Sequence, residues 1–127
     1  MNTRSLAACL AVALVASSGC VPLLVGAGAG VAGYHYTEGE MQYAVQATVD
    51  RTYKAVEAVV KSRGWEIKDV TREVTLATFR CQALDKTTIQ IEITRRSADF
   101  TRVAIRYGTW GDEIQSRKFI DDVRARL

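Results

Sequence analysis

Few residues in this chain have the type and spacing that chemistry needs. The single histidine, His35, lies between Tyr34 and Tyr36 after a glycine-rich stretch. No carboxylate or nucleophile shares its local element, so it reads as a linker residue rather than a general base. Asp121 and Asp122 are adjacent in a helical pattern, where they diverge by about 100° and cannot form an acid–base pair. Asp112 and Glu113 could meet only in the first turn of a helix. No metal-ligand spacing, phosphate loop or nucleophile elbow is present. The expectation is a non-enzyme with no catalytic residue, no metal and no cofactor.

Binding is the better-supported kind of chemistry. Gly108-Thr109-Trp110-Gly111-Asp112-Glu113 is the one motif-like stretch. Its glycines suit unusual backbone angles between a strand and a helix, and Asp112 suits a cap. Trp110 is then the member without a structural role, and it is the candidate binding anchor. The alternative is that Trp110 folds inward and closes the core beside Trp65. Arg102 and Arg106 share a strand face with Gln90, Glu92 and Arg80. That face reads as the solvated back of a sheet laced with cross-strand charge pairs, or as a partner-binding surface.

The elements that position these residues follow from periodicity. Met41, Tyr43, Val45 and Ala47 alternate with polar or small residues as a strand. Thr48 then caps a helix expected over about 48–63, with Asp50 in the first turn and Val49, Tyr53, Val56 and Val60 on one stripe. Gly64 follows Lys61-Ser62-Arg63 as the stop signal. Strands are expected from Trp65 to Val70, from Thr75 to Cys81, from Thr88 to Thr94 and from Thr101 to Tyr107. Ile89, Ile91 and Ile93 mark a sheet covered on one face only. Asp112, with Gln115 three residues on, resembles a capping box and opens a second helix over about 112–127. The predicted order is β-α-β-β-β-β-α. The predicted class is α+β, a two-layer sandwich of an antiparallel sheet with two helices on one face.

The 127 residues divide unevenly in charge, because no Asp, Glu, Lys or Arg occurs from Ser5 to Thr37. Residues 1–19 read as a signal peptide: Arg4, the apolar run Leu6–Ala16, then Ser17-Ser18-Gly19 before Cys20. Residues 20–40 read as a modified Cys20 and an apolar tether. Gly26 and Gly30 in that stretch would let two apolar helices approach closely in a membrane, or would loosen a tether in water. Residues 41–127 are the folded domain, with 16 Lys+Arg against 12 Asp+Glu. The basic residues are dispersed, with no run longer than Arg95-Arg96 or Arg117-Lys118, so nucleic acid is not an expected partner. Cys81 is alone in the domain and reads as a small apolar strand residue, so the fold must depend on its core rather than on a disulfide.

Ser18-Gly19-Cys20 resembles the lipobox of bacterial lipoproteins, in which the Cys is acylated and becomes the mature N-terminus. The position filled by Ser17 is usually aliphatic in that pattern. The whole chain resembles a family of small uncharacterised bacterial lipoproteins classed as a domain of unknown function. The resemblance is carried by Cys20, the Gly-Ala run 26–33, Ala47-Thr48-Val49-Asp50-Arg51-Thr52-Tyr53, Gly64-Trp65-Glu66-Ile67, Thr101–Arg106, Gly108–Asp112, Ser116 and Ile120. At the level of architecture, the domain is also similar to the repeated domains of the C lipoprotein of the outer-membrane β-barrel assembly machine. These resemblances imply a palmitate-bearing lipoprotein of the bacterial outer membrane, held by Cys20 and facing the periplasm. Val21, where an Asp would imply retention at the inner membrane, implies the outer one. The expected role is a protein-interaction or envelope-organising module with an envelope protein as partner. The alternative is a binder of lipid or a small ligand in a groove between helices and sheet.

Overall fold

The computed structural model describes residues 33–127. The expected signal peptide, Cys20 and most of the tether lie outside the described residues. The described chain runs β1 (His35–Thr37), β2 (Glu40–Val45), α1 (Val49–Ser62), β3 (Glu66–Arg72), β4 (Leu76–Gln82), β5 (Thr88–Arg95), β6 (Thr101–Tyr107) and α2 (Glu113–Arg124). The six strands form one antiparallel sheet in the order β1-β2-β6-β5-β4-β3. The class is α+β, with both helices packed on the sheet.

Alternation decides which face is covered. Met41, Tyr43 and Val45 of β2, Ala77, Phe79 and Cys81 of β4, Ile89, Ile91 and Ile93 of β5, and Val103 and Ile105 of β6 all point toward the helices and are buried. Each pairs in register with its counterparts, as in Phe79 opposite Ile91 and Ile91 opposite Ile105. α1 contributes Val56, Val59 and Val60, and α2 contributes Phe119, Ile120 and Val123. α1 lies over β3, β4 and β5, while α2 lies over β2 and β6. Area removed from water is the main stabilising term for such a layer, and the space between helices and sheet is filled by these side chains.

The helix ends behave as their residues dictate. The Thr48 hydroxyl accepts from the Arg51 amide at 3.3 Å, and Asp112 accepts from the Gln115 amide at 3.0 Å. At the end of α1, Gly64 (φ +67°) turns the chain, and the Gly64 and Trp65 amides donate to Lys61 and Val60 carbonyls at 3.1 and 3.2 Å. That is the Schellman pattern, in which a left-handed residue lets the last carbonyls find donors.

Two features differ from the expectation. The sheet has a strand ahead of β2: His35–Thr37, in the stretch expected to be tether, pairs back on Glu40–Gln42 through a two-residue turn. Glu38 (φ 52°) and Gly39 (φ 83°) both take the left-handed conformation that a tight hairpin of this hand needs. The other difference is at β3, an edge strand exposed at every position except Ile67. Its pairing with β4 shifts between Ile67 and Asp69. A bulge and charged residues of this kind discourage further strand addition at a sheet edge.

Candidate functional site

Gly108 and Gly111 set the backbone of the turn between β6 and α2. Both are left-handed (φ 78° and 82°), and the Gly108 amide donates to the Thr88 carbonyl at 2.8 Å. Gly111 meets the β1–β2 hairpin so closely that a Cβ there would stand 2.1 Å from the Gly39 carbonyl oxygen. A Cβ on Gly39 would stand 2.4 Å from the Trp110 carbonyl oxygen. The extra strand therefore has a consequence: its turn clamps the turn that carries Trp110.

Trp110 itself is 90% exposed. The inward alternative is thus excluded, and Phe119 and Tyr107 are the aromatic neighbours of Trp65. Trp65 stacks on Phe119 (centroids 5.4 Å, planes 14° apart) and tilts against Tyr107 at 5.8 Å. The Arg63 guanidinium covers the Trp65 ring at 5.2 Å and pairs with Asp122 at 2.6 Å. Two further large apolar residues stand exposed at the same end: Ile114 in the first turn of α2, and Leu84 in the β4–β5 turn.

Arg102 and Arg106 lie on the outer sheet face as expected, but they differ in engagement. Arg102 pairs with Glu92 at 2.6 Å and reaches the Gln42 amide oxygen at 3.5 Å. Gln42 donates on to Glu40 at 2.7 Å, and Thr94 donates to Glu92 at 2.9 Å. Arg102 is the centre of a cross-strand network. Arg106 forms no ion pair among the described residues. It stands opposite Gln90, which in turn stands opposite Arg80. With Thr88, Gln90, Gly108 and Thr109 it lines a hollow of about 310 Å³ that adjoins Trp110. A neighbouring trough of about 240 Å³ includes Glu40, Asp69, Arg80, Gln90, Glu92 and Ala104.

The remaining chemistry-bearing groups are accounted for locally. His35 Nε2 lies 2.8 Å from the Thr37 hydroxyl on the outer face. Asp121 and Asp122 diverge, the first accepting from Tyr34 and the second pairing with Arg63. Cys81 is buried, and burial pushes its thiol up to about 11, which keeps it protonated and unreactive. The Tyr107 phenol is also raised, first by burial and then by the charges of Asp85 and Asp112. No group of three or more potential metal ligands occurs among the described residues.

Sequence reasoning missed a cleft at the far end of the sheet. It holds about 670 Å³ between the start of α1, the β3–β4 turn and the β5–β6 turn, with Thr48, Asp50, Arg72, Glu73, Arg95 and Ser97 on its walls. Arg72 pairs with Asp50 across it and lies 4.3 Å over the Tyr53 ring. The Thr48 cap and the Arg95-Arg96 pair were the available signals, but three separate turns must come together to make the space.

Fold and site together define a small two-layer α+β domain whose unexplained residues cluster at one end of the sheet. The chain belongs to the DUF3568 family, described as a protein of unknown function, which matches residues 4–126. No curated protein matches the chain.

Proposed function

We propose that the protein is a lipoprotein anchored through Cys20 in the outer membrane, and that its periplasmic domain is a non-catalytic protein-interaction or envelope-organising module. One observation carries the binding reading: Trp110 is 90% exposed although its turn is held tightly by Gly39 and Gly111. An indole held out in water by an ordered backbone adds nothing to the core, whereas aromatic anchors of this kind dominate interface energies. Ser18-Gly19-Cys20 after Arg4 and the apolar run Leu6–Ala16 supports the anchor. His35 meets the Thr37 hydroxyl on an exposed strand with no carboxylate hydrogen-bonded to its ring among the described residues, and Cys81 is buried; both support a non-catalytic role.

A second reading is a lipid or small-ligand binder. Two open spaces support it: the cleft of about 670 Å³ between the start of α1 and the end of the sheet, and the outer-face hollow beside Arg106. Native mass spectrometry of the full-length protein extracted in detergent tests both readings. A stoichiometric protein partner that is lost in Trp110→Ala supports the first. A phospholipid adduct without protein supports the second. A bare chain in both variants refutes both.

A further inference from the structure

We propose that the Trp110 end of the domain docks on the surface of the bilayer, with Arg106 against a phospholipid phosphate and the Trp110 indole at the headgroup–acyl boundary. This inference rests on the lipid-anchor reading above and says what surface that end of the domain meets.

The first support is chemical complementarity. The hollow beside β6 is lined by Arg106, Gln90, Thr88, Thr109 and Gly108, with no acidic residue among them, whereas Glu40, Asp69 and Glu92 line the neighbouring trough that shares Gln90. Arg106 is free of ion pairs among the described residues, unlike Arg102 four residues before it. A phosphate is the oxyanion that a fork of guanidinium donors and neighbouring hydroxyls suits best.

The second support is where the apolar surface lies. Thr109 lines the hollow, and the next residue is the exposed indole. Ile114 in the first turn of α2 and Leu84 in the β4–β5 turn, at 67% and 84% exposure, lie at the same end of the sheet. A guanidinium beside a projecting tryptophan matches the layering of a membrane interface, where polar headgroups sit above acyl chains and Trp is enriched. A protein partner would meet the indole, but it would not need the carboxylate-free hollow behind it.

The third support is reach. Twelve residues lie between Cys20 and Gly33. Extended, they span at most about 45 Å, against a radius of gyration of about 12 Å for a domain of this size. A domain so tethered is held within contact range of the bilayer, and a few apolar side chains are enough to set its orientation.

The test uses the full-length protein in vesicles of phosphatidylethanolamine and phosphatidylglycerol that contain brominated phosphatidylcholine. Flotation reports the anchor, and bromine quenching of tryptophan emission reports docking. Trp110→Phe supplies the Trp65 background. The expected result is that quenching removes about half of the Trp110 emission, and that Arg106→Gln lowers the quenched fraction at least threefold while flotation is unchanged. Floating protein whose Trp110 is unquenched and open to iodide overturns the docking and leaves the anchor standing. Equal quenching in Arg106→Gln overturns the phosphate contact. Protein that fails to float overturns the anchor and the docking together. Trp110 shielded by a co-purified protein and untouched by bromine assigns this end to a protein interface instead.

Discussion

Replacing each tryptophan by alanine separates a residue kept for binding from one kept for folding. Trp110 is 90% exposed, so truncation returns to water only about a tenth of a side chain of roughly 250 Å². At about 25 cal/mol per Å² the loss is about 0.6 kcal/mol. Trp65 is half-buried, stacked 5.4 Å from Phe119 and covered by Arg63 at 5.2 Å. Its truncation opens a void at the end of the core and strips the Arg63–Asp122 pair of its cover, which costs about 3 kcal/mol. With a urea m-value of about 1 kcal/mol per molar for a domain of this size, the midpoint falls by about 0.6 M for Trp110→Ala and by about 3 M for Trp65→Ala. The assay is urea unfolding followed by far-ultraviolet circular dichroism, which needs no tryptophan signal. A Trp110→Ala midpoint drop of more than half the Trp65→Ala drop would refute the assignment of Trp110 to binding.

Three further perturbations test the packing and electrostatics around this site. Gly111→Ala places a Cβ 2.1 Å from the Gly39 carbonyl oxygen at φ +82°, whereas Gly64→Ala at φ +67° meets open space; thermal unfolding should show a loss of about 3 kcal/mol for the first and about 1 kcal/mol for the second, and equal losses would remove the hairpin clamp. Arg102→Met breaks the pair with Glu92 and should cost about 1 kcal/mol, while Arg106→Met should stay within about 0.5 kcal/mol; the reverse order in urea midpoints would contradict the division of the two arginines. The Cys81 thiol is raised from 9.0 to about 11 on folding, so the unfolded chain loses its proton first. Stability tied to this group is complete below pH 9 and falls by about 2–3 kcal/mol as pH rises to 11; urea midpoints of wild type and Cys81→Ala across that range should converge, and parallel curves would refute the assignment.

Much of the fold is legible because local chemistry and tertiary burial agree. Ile89, Ile91 and Ile93 alternate in sequence and are all buried on one face. Thr48 and Asp112 cap the helices they were expected to cap, and Gly64 ends α1. β1 escaped because three residues are too few for a periodic signal, and Glu38-Gly39 is a weaker turn mark than Asn-Gly or Asp-Gly. Without β1, the reason for Gly111 was also hidden, since the oxygen it avoids belongs to Gly39, far away in the chain. Arg102 and Arg106 look alike in sequence. Glu92 stands opposite Ala104, diagonal to both, and only the folded sheet shows its carboxylate going to Arg102. That Trp65 and not Trp110 stacks on Phe119 is likewise a matter of packing rather than of pattern.

Acylation of Cys20 is what would bring the domain and its projecting tryptophan to a membrane. Radiolabelled palmitate incorporation into wild type and Cys20→Ala, expressed from the same promoter and recovered by immunoprecipitation, tests it directly. A labelled wild-type band in the outer-membrane fraction and an unlabelled Cys20→Ala band are expected. Equal labelling of the two, or an unlabelled wild type, would refute the anchor.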